Sequence, residues 1–148
     1  MTQTNVMKSN KGRILFVEDE KMLTDMYHLY FEKNGYDFLC TADIAEALEI
    51  TRFEQPDVVL LDIIIPKEEN GVINLIAEQG WDYLEAAKKD SKIKNIPIIV
   101  FTNLDTMKDR IKSANLGAIA YIFKGKADPK DVIKTIDEVI KQTKEKKK

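Results

Sequence analysis

The sequence predicts an α/β domain built on a parallel β-sheet with helices packed on both of its faces. Three observations predict it. Short runs of branched apolar residues recur five times, stretches of helical spacing separate them, and several of the runs stop abruptly at acidic or hydroxyl residues. Runs that are apolar at every position, without alternation, belong to strands buried on both faces. Right-handed crossovers between such strands then leave only a few possible windings.

Residues 13–17 are branched and apolar and end in Glu18, Asp19 and Glu20, which reads as a buried strand delivering acids at its C-terminal end. Helical spacing begins at Lys21. Met22, Met26, Leu29 and Lys33 mark one line of that helix, Leu23, Tyr27 and Tyr30 the neighbouring line, and Asn34-Gly35 supplies the stop. A second strand occupies 36–40. Asp43 suits the N-cap of the next helix, where Ile44, Ala47, Leu48 and Thr51 keep helical spacing until Gln55-Pro56 breaks it. The most apolar strand, Val58–Leu61, runs straight into Asp62. Residues 96–101 form a further strand, 107–116 a helix stopped by Gly117, and 118–123 a final strand. Asp128-Pro129 opens the last helix, whose Val132, Ile133, Ile136, Val139 and Ile140 make one apolar face.

At 148 residues the chain suits one domain with a substantial core, and no apolar run approaches the length that crosses a bilayer, so a membrane-embedded protein is excluded. With 23 Lys and Arg against 25 Asp and Glu, global attraction to nucleic acid is not expected. Residues 1–12 are polar, lack the apolar centre of a signal peptide and read as a flexible leader to a domain over 13–142, with 143–148 a solvated basic tail. Cys40 is the only cysteine and cannot form an internal disulfide; its apolar neighbours predict a buried, inert thiol. Leader and cysteine both suit the cytoplasm.

In an open parallel sheet the ligand site lies beyond the strand C-termini, and here those ends carry Glu18, Asp19, Asp62, Thr102 and Lys124. Carboxylates converging in one crevice repel by about 1 to 4 kcal/mol per close pair, so they call for a cation or a raised pKa. Magnesium prefers oxygen ligands and combines one or two carboxylates with phosphate oxygens. A hydroxyl and an ammonium on neighbouring strand ends would hold the remaining phosphate oxygens.

FVEDE after the first strand, LLDIIIP after the third, FTN after the fourth and YIFK after the fifth resemble the receiver domain of response regulators in two-component phosphorelay signalling. The resemblance covers nearly all of 13–140. It implies a flavodoxin-like, doubly wound sheet of five strands in the order 2-1-3-4-5 with five main helices. It further implies that Asp62 is the phosphoacceptor, a phosphoprotein site bearing an aspartyl phosphate. Asp19 would ligate Mg2+ directly, Glu18 through water, and Ile64 through its backbone carbonyl. Thr102 and Lys124 would contact the phosphoryl group. Tyr121 would be the switch aromatic, linking the site to the surface of the fourth helix, fifth strand and fifth helix. The partner implied is a sensor histidine kinase or a histidine phosphotransfer protein. On this reading the chain is an acceptor that assists its own phosphotransfer and dephosphorylation rather than an enzyme. No DNA-binding or catalytic output segment follows the last helix, so either the output is a protein contact, with a phosphorylation-dependent dimer one form of it, or the chain is part of something longer.

The sequence departs from the family pattern in three places. Residues 67–79 add an insertion before Trp81, Tyr83 and Leu84 resume the third helix; it reads as a tolerated, partly ordered loop, with a short helix or hairpin acting as lid or docking element the alternative. Gly125 stands where the family usually has a proline joined by a cis bond, which predicts a trans peptide and a more loosely aimed Lys124. Ile64 and Leu104, at positions that by resemblance modulate hydrolysis, cannot orient a water and predict slow decay of the aspartyl phosphate.

Competing readings are weaker. A phosphatase with a strand-end aspartate nucleophile needs a second aspartate where Ile64 stands, and flavin binding needs a phosphate loop where the first loop is acidic. His28 sits in the first helix as a surface or boundary residue, not in the helical bundle of a phosphotransfer protein. A degenerate receiver, acting only as a phosphorylation-independent interaction module, is the principal alternative.

Overall fold

The computed structural model describes residues 10–146. In chain order the elements are β1 (Gly12–Val17), α1 (Lys21–Lys33), β2 (Tyr36–Thr41), α2 (Ile44–Glu54), β3 (Val58–Leu61), β4 (Lys67–Glu69), β5 (Val72–Asn74), α3 (Gly80–Lys89), β6 (Ile98–Thr102), α4 (Met107–Asn115), β7 (Ala120–Phe123), a 3-10 turn (Lys124–Lys126) and α5 (Pro129–Lys146). Five strands make one sheet in the order β2-β1-β3-β6-β7, every pairing parallel. Leaving out the small β4-β5 pair, this is the expected 2-1-3-4-5 order.

The unbroken apolar runs are explained by burial from both sides. Along β1, Ile14 and Phe16 enter a core shared with α1 and α5, whereas Leu15 and Val17 enter one shared with α2 and α3. Phe16, Tyr27 and Phe101 meet edge to face or tilted, with centroids 5.5–5.8 Å apart, and fill the first core. Asp43 caps α2 as predicted, its carboxylate accepting from the Glu46 N–H at 2.9 Å; at α4 the Thr106 hydroxyl, not anticipated from the sequence, accepts from the Asp109 N–H in the same way.

Several expectations need correction. Cys40 is exposed, on a strand that forms the edge of the sheet. Partial burial, with Asp25 nearby, still pushes its thiol above the ordinary value. Residues 10–12, assigned to the leader, are fastened: Lys11 N–H donates to the Gly35 carbonyl at 2.7 Å and Gly12 already belongs to β1. The rest of the leader, 1–9, lies outside the described residues. Residues 143–146, assigned to the tail, continue α5, with Thr143 donating to the Val139 carbonyl; 147 and 148 lie outside the described residues. The insertion is a β-hairpin rather than a partly ordered loop. On α1, the line through Met22, Met26 and Leu29 faces outward, and Thr24, Tyr27 and Phe31 face the sheet. His28 is at the surface as expected, stacked on Phe38 and 3.0 Å from Glu32.

Candidate functional site

The sheet register brings the strand ends together. The Asp62 N–H donates to the Val17 carbonyl at 3.0 Å, so the β1-β3 ladder continues one step past both strands and sets Asp62 beside Glu18. Gly80 at the start of α3 closes the other side. Its N–H donates to the Ile63 carbonyl at 2.9 Å, and a Cβ there would collide with the Asp62 carbonyl and lie 2.5 Å from Ile63 Cα. No other residue fits this close approach.

Asp62 is only 4% exposed. Its Oδ1 accepts from the Ile64 N–H at 3.1 Å and its Oδ2 from Lys124 Nζ at 2.6 Å. The same ammonium lies 2.5 Å from Glu18 Oε1, in a charge contact without the alignment of a hydrogen bond. Glu18 Oε2 accepts from the N–H groups of Asp19 and Glu20, both at 3.1 Å. Two buried carboxylates thus share one cation. Burial first, and then the Asp62 charge, push Glu18 up to about 7 in spite of Lys124. Burial alone would lower Lys124, but Asp62 and Glu18 outweigh it and hold the ammonium above its ordinary value.

Asp19 is exposed at the mouth, and ligand oxygens of Glu18, Asp19 and Asp62 all lie within 4.8 Å of one another, a spacing that could hold a metal ion. The residues fit a hard dication: all three donors are carboxylates, and the crowding that raises Glu18 is relieved by positive charge.

Thr102 is fully buried at the end of β6. Its hydroxyl accepts from the Leu104 N–H at 3.4 Å, while the Tyr121 hydroxyl donates to the Leu104 carbonyl. Leu104 therefore connects the two side chains through one residue. The Arg110 guanidinium covers the Tyr121 ring at 4.6 Å.

The structure thus gathers Glu18, Asp19, Asp62 and Lys124 into one cluster, with Thr102 at the adjoining strand end. No peptide bond is cis among the described residues, so Lys124-Gly125 is trans as expected. Lys124 is not loosely aimed, however. Two carboxylates hold its ammonium, and the Phe123 ring lies where a Gly125 Cβ would sit, 2.6 Å from Cζ, above a turn closed by Ala127 N–H to Lys124 carbonyl. Sequence reasoning missed Gly80 and Leu104 as organising residues of the site. Gly80 opening a helix was a visible signal; the role of Leu104 lies in its backbone and left none.

The sheet order, and a site at the C-terminal edge of the sheet, define a doubly wound α/β protein of the flavodoxin-like type. The family model described as response regulator receiver domain matches residues 14–137, and the chain belongs to that family. Among solved structures, a CheY-like response regulator receiver domain protein from Methanospirillum hungatei JF-1 is 28% identical, with TM-score 0.76 over 90% of this chain and 97% of that one. The BeF3-activated N-terminal receiver domain of RstA from Klebsiella pneumoniae is 26% identical, with TM-score 0.72 over 86% and 97%. The signal receiver domain of a putative LuxO repressor protein from Vibrio parahaemolyticus shares the fold at 18% identity, with TM-score 0.77 over 92% and 95%.

Proposed function

We propose that this receiver domain takes a phosphoryl group from a phosphohistidine onto Asp62, with Mg2+, and thereby switches a protein-binding surface on α4, β7 and α5. The observation that carries the reading is a buried carboxylate at the end of the central strand, held by Lys124 and crowded by Glu18 and Asp19.

An Asp62 carboxylate oxygen attacks phosphorus, the P–N bond breaks with its electron pair returning to the imidazole, and an acyl phosphate forms. Magnesium on Glu18, Asp19, Asp62 and the Ile64 carbonyl would neutralise charge on the phosphoryl oxygens. Lys124, now divided between Glu18 and Asp62, turns to a phosphoryl oxygen. When the Thr102 hydroxyl does the same, it releases the Leu104 N–H, and the Leu104 carbonyl transmits the change to Tyr121. The donor is a sensor histidine kinase or histidine phosphotransfer protein, and the domain is an acceptor, not a turnover enzyme.

Acetyl phosphate with and without Mg2+, followed by intact mass, tests this. One added phosphoryl group that requires Mg2+ and is lost in Asp62→Asn is expected. The alternative, a phosphorylation-independent interaction module, would be selected by no addition from either a small or a histidine-kinase donor.

A further inference from the structure

The hairpin of β4 and β5 lies between β3 and α3 in the chain, with all six strand residues exposed. It is fastened at its base: Ile65 N–H donates to the Ala77 carbonyl at 3.0 Å, and Gln79 Nε2 donates to the carbonyls of Ile65 and Pro66 at 3.1 and 2.7 Å. Its turn is Asn70-Gly71, with φ of 52° and 79°, the paired positive angles of the tight hairpin turn that glycine and asparagine tolerate. It is a formed element, yet a two-stranded ribbon buries too little to account for itself.

Its two edges differ. The β4 edge carries Lys67, Glu68 and Glu69, the charged guard that keeps exposed strands from pairing. The β5 edge carries Val72, Ile73 and Asn74 and runs on to Leu75 and Ile76. It has no charge at all, and Val72, Ile73, Leu75 and Ile76 are 61–78% exposed. We propose that the open edge of β5 is a self-association surface, pairing antiparallel with β5 of a second copy of this chain about a two-fold axis at Ile73.

The register supports this occupant. Glu69 faces Val72, Glu68 faces Ile73 and Lys67 faces Asn74. In a two-residue hairpin the pair beside the turn exchanges both backbone hydrogen bonds and the pairs then alternate, so Val72 and Asn74 bond inward and Ile73 presents its N–H and carbonyl outward. Two such edges related by a two-fold exchange both bonds between Ile73 and its counterpart, set the two isoleucines side by side on one face and place Val72 opposite Asn74 on the other. The charged β4 edges become the outer, guarded edges of a four-stranded ribbon. A neutral strand meets itself without like-charge repulsion. The patch falls short of the roughly 800 Å² per partner of a standard interface, so association is weak and concentration-dependent.

Sedimentation equilibrium of the full chain over a wide concentration range tests it. Wild type should climb from 17.0 kDa toward twice that mass. Ile73→Pro removes the outward N–H while leaving the hairpin's own bonds, and should stay monomeric with an unchanged thermal midpoint. Ile73→Lys, a guard charge at an exposed site, should do the same, whereas Ile111→Lys on α4 should associate like wild type. A wild type that stays at 17.0 kDa throughout, as it would if the edge served only a different protein, overturns the proposal. So does association of Ile73→Pro and Ile73→Lys equal to that of wild type.

Discussion

Lys124 balances two buried carboxylates, and the arrangement is asymmetric under mutation. Its side chain is 11% exposed, against 5% for Asp62 and 1% for Glu18. Lys124→Met leaves the acids facing each other, and a loss of about 2 kcal/mol in urea unfolding is expected. That is less than the roughly 3–5 kcal/mol of a broken buried pair, because Glu18, already pushed up to about 7, can take a proton. Asp62→Asn removes the surplus charge and leaves Glu18 with Lys124 to itself. Its stability without Mg2+ should equal or slightly exceed that of wild type; a loss comparable to that of Lys124→Met would show that the acids are not in conflict. Ile64 and Leu104 offer no group to orient an attacking water, so the acyl phosphate should persist for minutes or longer once donor is removed. Decay within seconds, followed by intact mass, would refute that expectation. These side chains were legible because strand ends concentrate chemistry. Cys40 was misread because an apolar neighbourhood in sequence does not tell an edge strand from a central one.

At the scale of elements, α3 is positioned by the contact of Gly80 with the chain just after β3. Gly80→Ala forces backbone against backbone at Asp62 and Ile63, and a loss of about 1–3 kcal/mol is expected in urea unfolding, with slower phosphorylation of Asp62. Wild-type values for both would mean that α3 shifts without cost. Strands β1, β3 and β6 could be read directly because both of their faces are buried. The hairpin could not be read by periodicity, since a ribbon with both faces in solvent has no alternation of apolar and polar residues. Its one signal was Asn70-Gly71, a strong hairpin turn flanked by short segments that otherwise read as loop. The two apolar lines of α1 were likewise both visible, but only packing shows that Tyr27 and Phe31 face inward while Met22 and Leu29 do not.

For the whole molecule, the winding places every group of the site at one edge of one sheet, so the proposed Mg2+ site exists only in the folded chain and its occupation would be linked to folding. A ligand that binds only the folded state at a hundredfold excess over its dissociation constant stabilises by about 2.7 kcal/mol. Mg2+ should therefore raise the thermal midpoint of wild type and do so much less for Asp62→Asn, which lacks one of the three carboxylates. Equal shifts would place the metal elsewhere. No described helix is long and apolar enough to cross a membrane, in keeping with the hydropathy of the sequence. The central claim, that Asp62 accepts the phosphoryl group, is tested most directly by reductive trapping. Borohydride converts an aspartyl phosphate to homoserine, and peptide mass mapping after treatment with acetyl phosphate and Mg2+ locates it. The account predicts homoserine at position 62 and nowhere else; homoserine at Asp19, or at no position, would contradict it.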